Sequence, residues 1–279
     1  MKTINLCLSN RCFVNCPGCY NRFSKDPNEI DSKIIFEFLS YARSYGLEKI
    51  TLSGGDPLVR RDIESIVSFC NSIGLKVNMD TVGTSIIKSC ETKKGVRTVV
   101  EKIIDFSFLK DLQYLGIPLD GSNSKIISTF RRGRPNIFEE QLEIIDFLNN
   151  FCDNICINTV YHKHNYEDIA NIFKIISQFR GVKKWQVFEY MGIGDQANRY
   201  SNYFATGDDL FQKSIKDIYP LIQKNSNIIV DFKSSKSREQ KYLFSNSAGE
   251  VYKTNLKNQT FYFGNITRKE TWAKIVANL

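Results

Sequence analysis

Along the first 195 residues, short runs of alternating apolar and polar residues are separated by longer stretches with the spacing of an amphipathic helix. The alternating runs predict strands at Thr3–Leu8, Lys49–Ser53, Leu75–Asp80, Gln113–Pro118, Asn154–Val160 and Lys184–Glu189. The stretches between them predict helices near Asp31–Tyr45, Arg61–Ile73, Val96–Asp105, Asn136–Phe151 and Tyr166–Phe179. Asp31 stands where the first helix should be capped, and Gly46 and Gly74 where the first two should stop. Strands separated one from the next by a helix imply right-handed βαβ units and a parallel sheet. Six units are too few to close an eight-stranded barrel, so the pattern predicts an α/β fold, a partial (β/α)6 TIM-like barrel.

After Glu189 the rhythm changes. A loop begins at Gly192-Ile193-Gly194-Asp195, a helix is predicted over Asp208–Gln223, and short strands over Ile228–Phe232, Lys241–Phe244 and Glu250–Tyr252. Ser245–Gly249 reads as a hairpin turn. The expectation is a barrel over residues 1–195 and a small α+β C-terminal cap over 196–279, packed on the barrel mouth. Neither an internal repeat nor a low-complexity linker interrupts the chain.

Composition refines this only slightly. The chain has 279 residues, of which 42% are apolar, enough for a full core. It has no apolar run of membrane-spanning length, and Met1-Lys2-Thr3-Ile4-Asn5 leads straight into a strand, so a cytoplasmic protein is expected. A net charge of +8 permits an anionic substrate or partner, and equally a set of solvated lysine-rich faces.

Candidate chemistry begins at Cys12, Cys16 and Cys19, a CxxxCxxC run directly after the first strand. Three thiolates so closely spaced can hold three corners of an iron–sulfur cube and leave the fourth iron open to a small molecule. Structural zinc wants four closed ligands, and no second pair of cysteines or histidines is spaced to complete the set. A disulfide framework does not suit a long chain expected to be cytoplasmic. The next cysteine is Cys70, and Cys7, Cys70, Cys90, Cys152 and Cys156 read as buried small hydrophobes.

Every other motif falls just after a predicted strand, where parallel α/β barrels gather their functional groups. Ser53-Gly54-Gly55-Asp56-Pro57 follows the second strand, Asp80-Thr81 the third and Asp120-Gly121 the fourth. Asn158-Thr159 ends the fifth, and Glu189-Tyr190-Met191 the sixth. Paired glycines let backbone approach a ligand closely, and Asp56 adds a carboxylate.

Together Cys12–Cys19 and Gly54–Pro57 resemble the radical S-adenosylmethionine (SAM) superfamily, over roughly residues 3–195. The resemblance implies a [4Fe–4S] cluster on Cys12, Cys16 and Cys19, with SAM chelating the open iron. It implies that Ser53, Gly54, Gly55 and Asp56 hold SAM, with Asp56 meeting its amino group in a slot where the family usually has glutamate. Asp80, Thr81, Asp120, Asn158 and one arginine of Arg131-Arg132-Gly133-Arg134 are further SAM contacts, and Arg132 is chosen for the glycine beside it. Reductive cleavage of SAM to a 5′-deoxyadenosyl radical, which takes a hydrogen atom from an organic substrate, is the implied reaction. An electron donor such as flavodoxin or ferredoxin is the implied partner.

Gly18 departs from the aromatic residue often found before the third cysteine, and Cys16–Asn21 is similar to the much shorter activase of anaerobic ribonucleotide reductase. Leu52–Ile63, Ile157–Val160 and Glu189-Tyr190-Met191 resemble the GTP cyclase of molybdenum-cofactor synthesis, and Lys184–Phe188 resembles viperin. Both suggest a nucleotide substrate. No cysteine follows Cys156, so the second cluster of that cyclase, and of many peptide-modifying relatives, has no ligands here. Gly249-Glu250-Val251-Tyr252 keeps their hairpin without its cysteine, and a peptide substrate remains the alternative. An iron–sulfur electron carrier or redox sensor is the reading from another class, and a zinc-stabilised nucleic-acid-binding protein a weaker one.

Lys233, Lys236, Arg238 and Lys241 form a basic segment that either closes over a phosphorylated substrate or is a charged surface loop. His162 and His164, the only histidines, follow the fifth strand and read as exposed loop residues, with acid–base work as the alternative.

Overall fold

A computed structural model describes residues 2–21, 29–88, 90–91, 99–100, 105–224, 227–257 and 259–279, with backbone alone at 90, 91, 99, 100 and 195. Seven strands lie side by side in chain order, all parallel: β1 (Thr3–Cys7), β2 (Lys49–Ser53), β3 (Lys76–Asp80), β4 (Tyr114–Pro118), β5 (Ile155–Tyr161), β6 (Val182–Glu189) and β7 (Ile229–Lys233). The return connections carry α1 (Ser32–Ser44), α2 (Ile63–Ser72), α3 (Ile137–Asn149), α4 (Ile169–Ile176) and α5 (Asp208–Gln223). Beyond β1 the sheet continues with β8 (Leu243–Ser245), parallel to it, then β9 (Glu250–Thr254) and β10 (Thr260–Asn265), antiparallel. A short helix, α6 (Trp272–Val276), follows, and the Trp272 ring meets the Phe38 ring of α1 edge-on at 5.7 Å.

The six predicted strands are therefore present in the predicted order. Ile228–Phe232 was expected in the cap, but it forms β7, the seventh parallel strand, because α5 and β7 repeat the same βα unit. The helix expected over Val96–Asp105 falls mostly outside the described residues. Within them, Val99–Val100 pairs as antiparallel strand with Cys90–Glu91, as adjacent β-branched residues favour. The turn at Ser245–Gly249 is as expected, with Gly249 at φ +86° and its N–H donating to Asn246 O at 3.0 Å.

Alternation gives each strand of the parallel array two chemically different faces. Ile4, Leu6, Ile50, Leu52, Val77, Met79, Leu115, Ile117, Ile157 and Val187 are buried on the helix-covered face. Each such side chain contributes about 1.5–3 kcal/mol by leaving water. Residues in between, among them Asn5, Thr51, Asn78, Asn158, Lys184 and Gln186, share the other face, as the register shows.

That second face curls inward. Lys49 on β2 is within electrostatic reach of Lys184 on β6 and Lys233 on β7, strands four and five places away in the sheet. Lys233 Nζ donates to Tyr242 Oη at 3.3 Å, and Tyr242 immediately precedes β8 on the opposite side of the parallel array. The result is an open barrel with a polar lining, its gap crossed by side chains between β7 and β8.

Candidate active site

The chain leaves β1 into the segment that carries the three cysteines. Cys12 and Cys16 are buried, and Cys19 is partly exposed. Cys19 N–H donates to Cys16 O at 3.3 Å, and Asn15 N–H to Arg132 O at 2.6 Å. Gln196, in the segment after β6, donates to Cys16 O at 3.3 Å and Pro17 O at 3.1 Å. Gly18 sits against two rings: a Cβ there would lie 2.6 Å from Phe130 and 2.7 Å from Tyr190. Aromatic rings already fill the space that an aromatic residue at 18 would need, so the departure noted in the sequence has a packing cause.

The loop after β2 is lashed to this segment through backbone. Leu8 N–H donates to Ser53 O at 2.8 Å, Gly55 N–H to Ser9 O at 2.5 Å and Asp56 N–H to Arg11 O at 2.7 Å. Gly54 has φ +151°, and a Cβ on it would lie 2.6 Å from Ser9 O. At Gly55 a Cβ would fall well inside van der Waals contact of Arg11 O. The paired glycines thus admit the cysteine segment itself, where the sequence suggested a ligand.

Asp56 is fully buried, and its carboxylate is taken up by protein donors. Leu58 N–H reaches Oδ1 at 2.9 Å, Thr81 Oγ1 donates to Oδ1 at 2.7 Å and Val82 N–H to Oδ2 at 2.8 Å. Burial pushes the Asp56 carboxyl up, and these donors oppose the shift. Thr81 Oγ1 also accepts from Gly83 N–H at 2.9 Å. Asp56 and Thr81 therefore join the loops after β2 and β3 to each other.

Asp80 and Asn158 form a second pair, on the barrel lining. Asn158 Nδ2 donates to Asp80 Oδ1 at 2.8 Å, and neither residue is wholly buried. Burial raises the Asp80 carboxyl, with Asn158, Lys233 and Lys49 acting against it. Gly116 makes the pair possible, because a Cβ there would collide with Asp80 Oδ1 and sit 2.5 Å from Asn158 Nδ2. Nothing in the sequence flagged Gly116 beyond a glycine inside a strand. Ser53 is buried beside them, and its hydroxyl interacts with Tyr20.

Asp120 is also fully buried, accepting from Val160 N–H at 2.6 Å and from Arg131 Nε at 2.5 Å. Arg131 Nη1 in turn lies 3.8 Å from Cys16 Sγ. Burial pushes the Cys16 thiol up, and the Arg131 guanidinium opposes this. Arg132, the arginine singled out in the sequence, is exposed, so the basic group facing the cysteines is its neighbour.

His162 also departs from expectation. It is fully buried, stacked on Phe130 at 5.5 Å, with Nδ1 accepting from His164 N–H at 3.1 Å. Burial lowers its pKa to about 3, so the ring is neutral near pH 7 and carries no proton to give as a charged acid. His164 Nε2 lies 3.0 Å from Tyr203 O, at the exposed side. Arg238 is held by Ser234 O and Glu189 O, its guanidinium 5.5 Å from the Phe188 ring centre; Lys236 pairs with Asp208 at 2.9 Å.

Among the described residues no three His, Cys, Asp or Glu side chains converge on one point, as a single metal ion would need. A cubane places each thiolate on a separate iron, a wider arrangement, and the donor set of three cysteines beside a cation suits an anionic cluster. Among the described residues no helix is long and apolar enough to cross a membrane.

A family model for the Radical SAM superfamily matches residues 6–176. A curated relative, the AdoMet-dependent heme synthase of Methanosarcina barkeri, is 29% identical over 198 residues, covering 70% of this chain and 52% of the relative. The chain spans about half the length of that relative. Streptococcus suis SuiB bound to S-adenosylmethionine has a TM-score of 0.70 at 16% identity, covering 96% of this chain and 64% of SuiB. Native anSMEcpe with bound AdoMet and the Cp18Cys peptide has a TM-score of 0.65 at 14% identity, covering 98% of this chain and 79% of that one. At such identities these two likenesses show the fold. With the family model spanning well over half its length, the chain belongs to the radical SAM superfamily of enzymes, which use a [4Fe–4S] cluster and SAM.

Proposed function

We propose that Cys12, Cys16 and Cys19 hold the [4Fe–4S] cluster, and that the chain takes SAM beside it and a separate organic substrate deeper in the barrel. Bound there, cluster and SAM supply one-electron cleavage of a carbon–sulfur bond, giving a 5′-deoxyadenosyl radical that removes a hydrogen atom from the substrate. The observation that carries this reading is the lashing of the cysteine segment to Ser53-Gly54-Gly55, at the strand ends of a parallel barrel.

In this reading the chain's own groups divide the work. Gln196 and the backbone of Ser53, Gly55 and Asp56 hold the cysteine segment in shape. Arg131, itself held by Asp120, balances negative charge at Cys16. Ser53, Asp80 and Asn158 line the adjacent wall and are the side chains that meet SAM. Asp56 and Thr81 act through the loops they join, since their polar atoms are already engaged. Arg132 is exposed, and Arg131 is the arginine turned toward the cysteine segment.

A nucleotide is the first substrate class, on the resemblance of Lys184–Phe188 and the cationic lining of the barrel. A peptide is the second, favoured by the likeness to anSMEcpe with its bound peptide. A low-potential electron donor such as flavodoxin or ferredoxin completes the system.

The test is anaerobic reconstitution with iron and sulfide, reduction, addition of SAM, and quantification of 5′-deoxyadenosine with and without nucleoside triphosphates. Wild-type protein should make it and Cys16→Ala should not. Stimulation by one triphosphate supports a nucleotide, and indifference to all of them a peptide. A fully loaded cluster that yields none under any condition would sink the turnover reading in favour of an electron carrier or sensor.

A further inference from the structure

Three lysines from three strands meet on the barrel lining, and neither helix packing nor the cysteine segment uses them. Lys184 on β6 and Lys233 on β7 share one carboxylate, Asp231 Oδ2, at 3.5 and 3.4 Å. Lys184 Nζ lies 5.4 Å from the Tyr114 ring centre, and Lys233 Nζ lies 5.2 Å from that of Phe188. Lys49 begins β2, half-buried, and its ammonium is disfavoured by burial and by the Lys184 and Lys233 charges facing it.

Two carboxylates share this face. Asp231 is the more open, with its side chain 39% exposed, and Asp80 is hydrogen-bonded to Asn158. Lys76, opposite Lys49 on β3, adds a fourth cation to this face, so its lysines outnumber the two carboxylates on a lining that also carries Asn5, Thr51, Asn78 and Gln186. Gathering like charges in a partly desolvated place costs free energy unless an anion relieves it. Lysine ammoniums are point charges with rotatable donors, which can close on an oxyanion from several directions.

We propose that Lys49, Lys184 and Lys233 form an oxyanion subsite on the barrel lining, which takes a phosphate or carboxylate group of the substrate and leaves its reacting carbon toward the cysteine segment. This rests on the radical SAM reading of the same barrel and adds the chemical class of the substrate. Asp231 then acts as a resident counter-ion, holding two lysines in place until the substrate anion displaces it.

The experiment is isothermal titration of the cluster-loaded, SAM-bound protein, kept anaerobic, with inorganic pyrophosphate and separately with citrate. Binding should weaken about tenfold in Lys184→Gln and again in Lys233→Gln, the loss expected for one charge-assisted hydrogen bond. Asp231→Asn should bind several-fold more tightly, an opposite sign that a misfolded variant would not give. Lys274→Gln, at an exposed helix position, should bind as wild type does. Pyrophosphate binding alone identifies a phosphate-bearing substrate, and citrate binding alone a carboxylate-bearing one. Absence of both, or an equal effect of Lys274→Gln, overturns the subsite. Deoxyadenosine formation, measured on the same wild-type preparation, separates the two claims: its presence without anion binding removes the subsite alone. Lysine-dependent anion binding without it removes the reaction and leaves the subsite.

Discussion

Arg131 is the side chain on which the cysteine segment's electrostatics turn. A guanidinium held by a buried carboxylate and pointed at Cys16 Sγ stabilises added negative charge on whatever that thiolate binds. Hydrogen bonds to cluster sulfurs are among the factors that set reduction potential, and a neighbouring cation favours the reduced state. Arg131→Gln is therefore expected to move the potential of the reconstituted cluster to more negative values, read by redox titration under electron paramagnetic resonance. The neutral, buried His162 makes a second prediction. Its folded pKa of about 3 lies below the ordinary 6.5, so between those values the unfolded chain binds a proton that the folded chain refuses. Stability falls as pH drops through this window, by about 2 kcal/mol at pH 5 relative to neutral pH. Urea denaturation of His162→Phe at pH 7 and pH 5 should show a smaller difference than wild type; an unchanged difference would refute the assignment. At this scale the cysteines were legible, because spacing along the chain states their chemistry. The choice between Arg131 and Arg132 was not, since the chain direction leaving the helical turn at Ser124–Phe130 decides which of two adjacent arginines turns inward.

Loops and strands set these residues against one another, and the paired glycines are the point of closest fit. Gly55→Ala would push its methyl group into the Arg11 carbonyl, and because the backbone fixes a Cβ in place and the carbonyl is itself backbone, neither can swing aside. The expected outcome is a loss of about 1–3 kcal/mol in stability, as for other overpacked sites. Iron content after reconstitution should fall with it, measured by thermal melting and iron analysis on one preparation. The six barrel strands could be read because alternation of apolar and polar residues survives in each. Ile228–Phe232 could be read as a strand as well, but alternation says nothing of which edge a strand will join. Its place beside β6 depends on where α5 delivers the chain. The engagement of Asp56 was equally hidden, because two of its donors, Thr81 and Val82, lie a full βα unit away.

Among the described residues the parallel array fills one side of a ten-stranded sheet and ends at the edge strand β7, while β8 to β10 extend the sheet beyond β1 to the other edge, β10. Edge strands have hydrogen-bond partners on one side only, so amide exchange should begin there, and in β2 to β4 it should come last. Hydrogen–deuterium exchange by mass spectrometry checks the order, and early exchange of β3 would contradict it. The net charge of +8 acquires a partial address at this scale, because three of the lysines face one another on the barrel lining. No linear reading could have gathered Lys49, Lys184 and Lys233, which come together only when the sheet curls. The separation of faces has a consequence for how such a chain can change over time. Stability is carried by the outward side chains beneath the helices, whereas the inward ones carry almost none of the apolar packing. Inward positions other than Gly116 and the Asp80–Asn158 pair are thus open to change, one substitution at a time, at little cost to the fold. A lineage of these proteins can acquire new substrates by rewriting alternate letters of each strand.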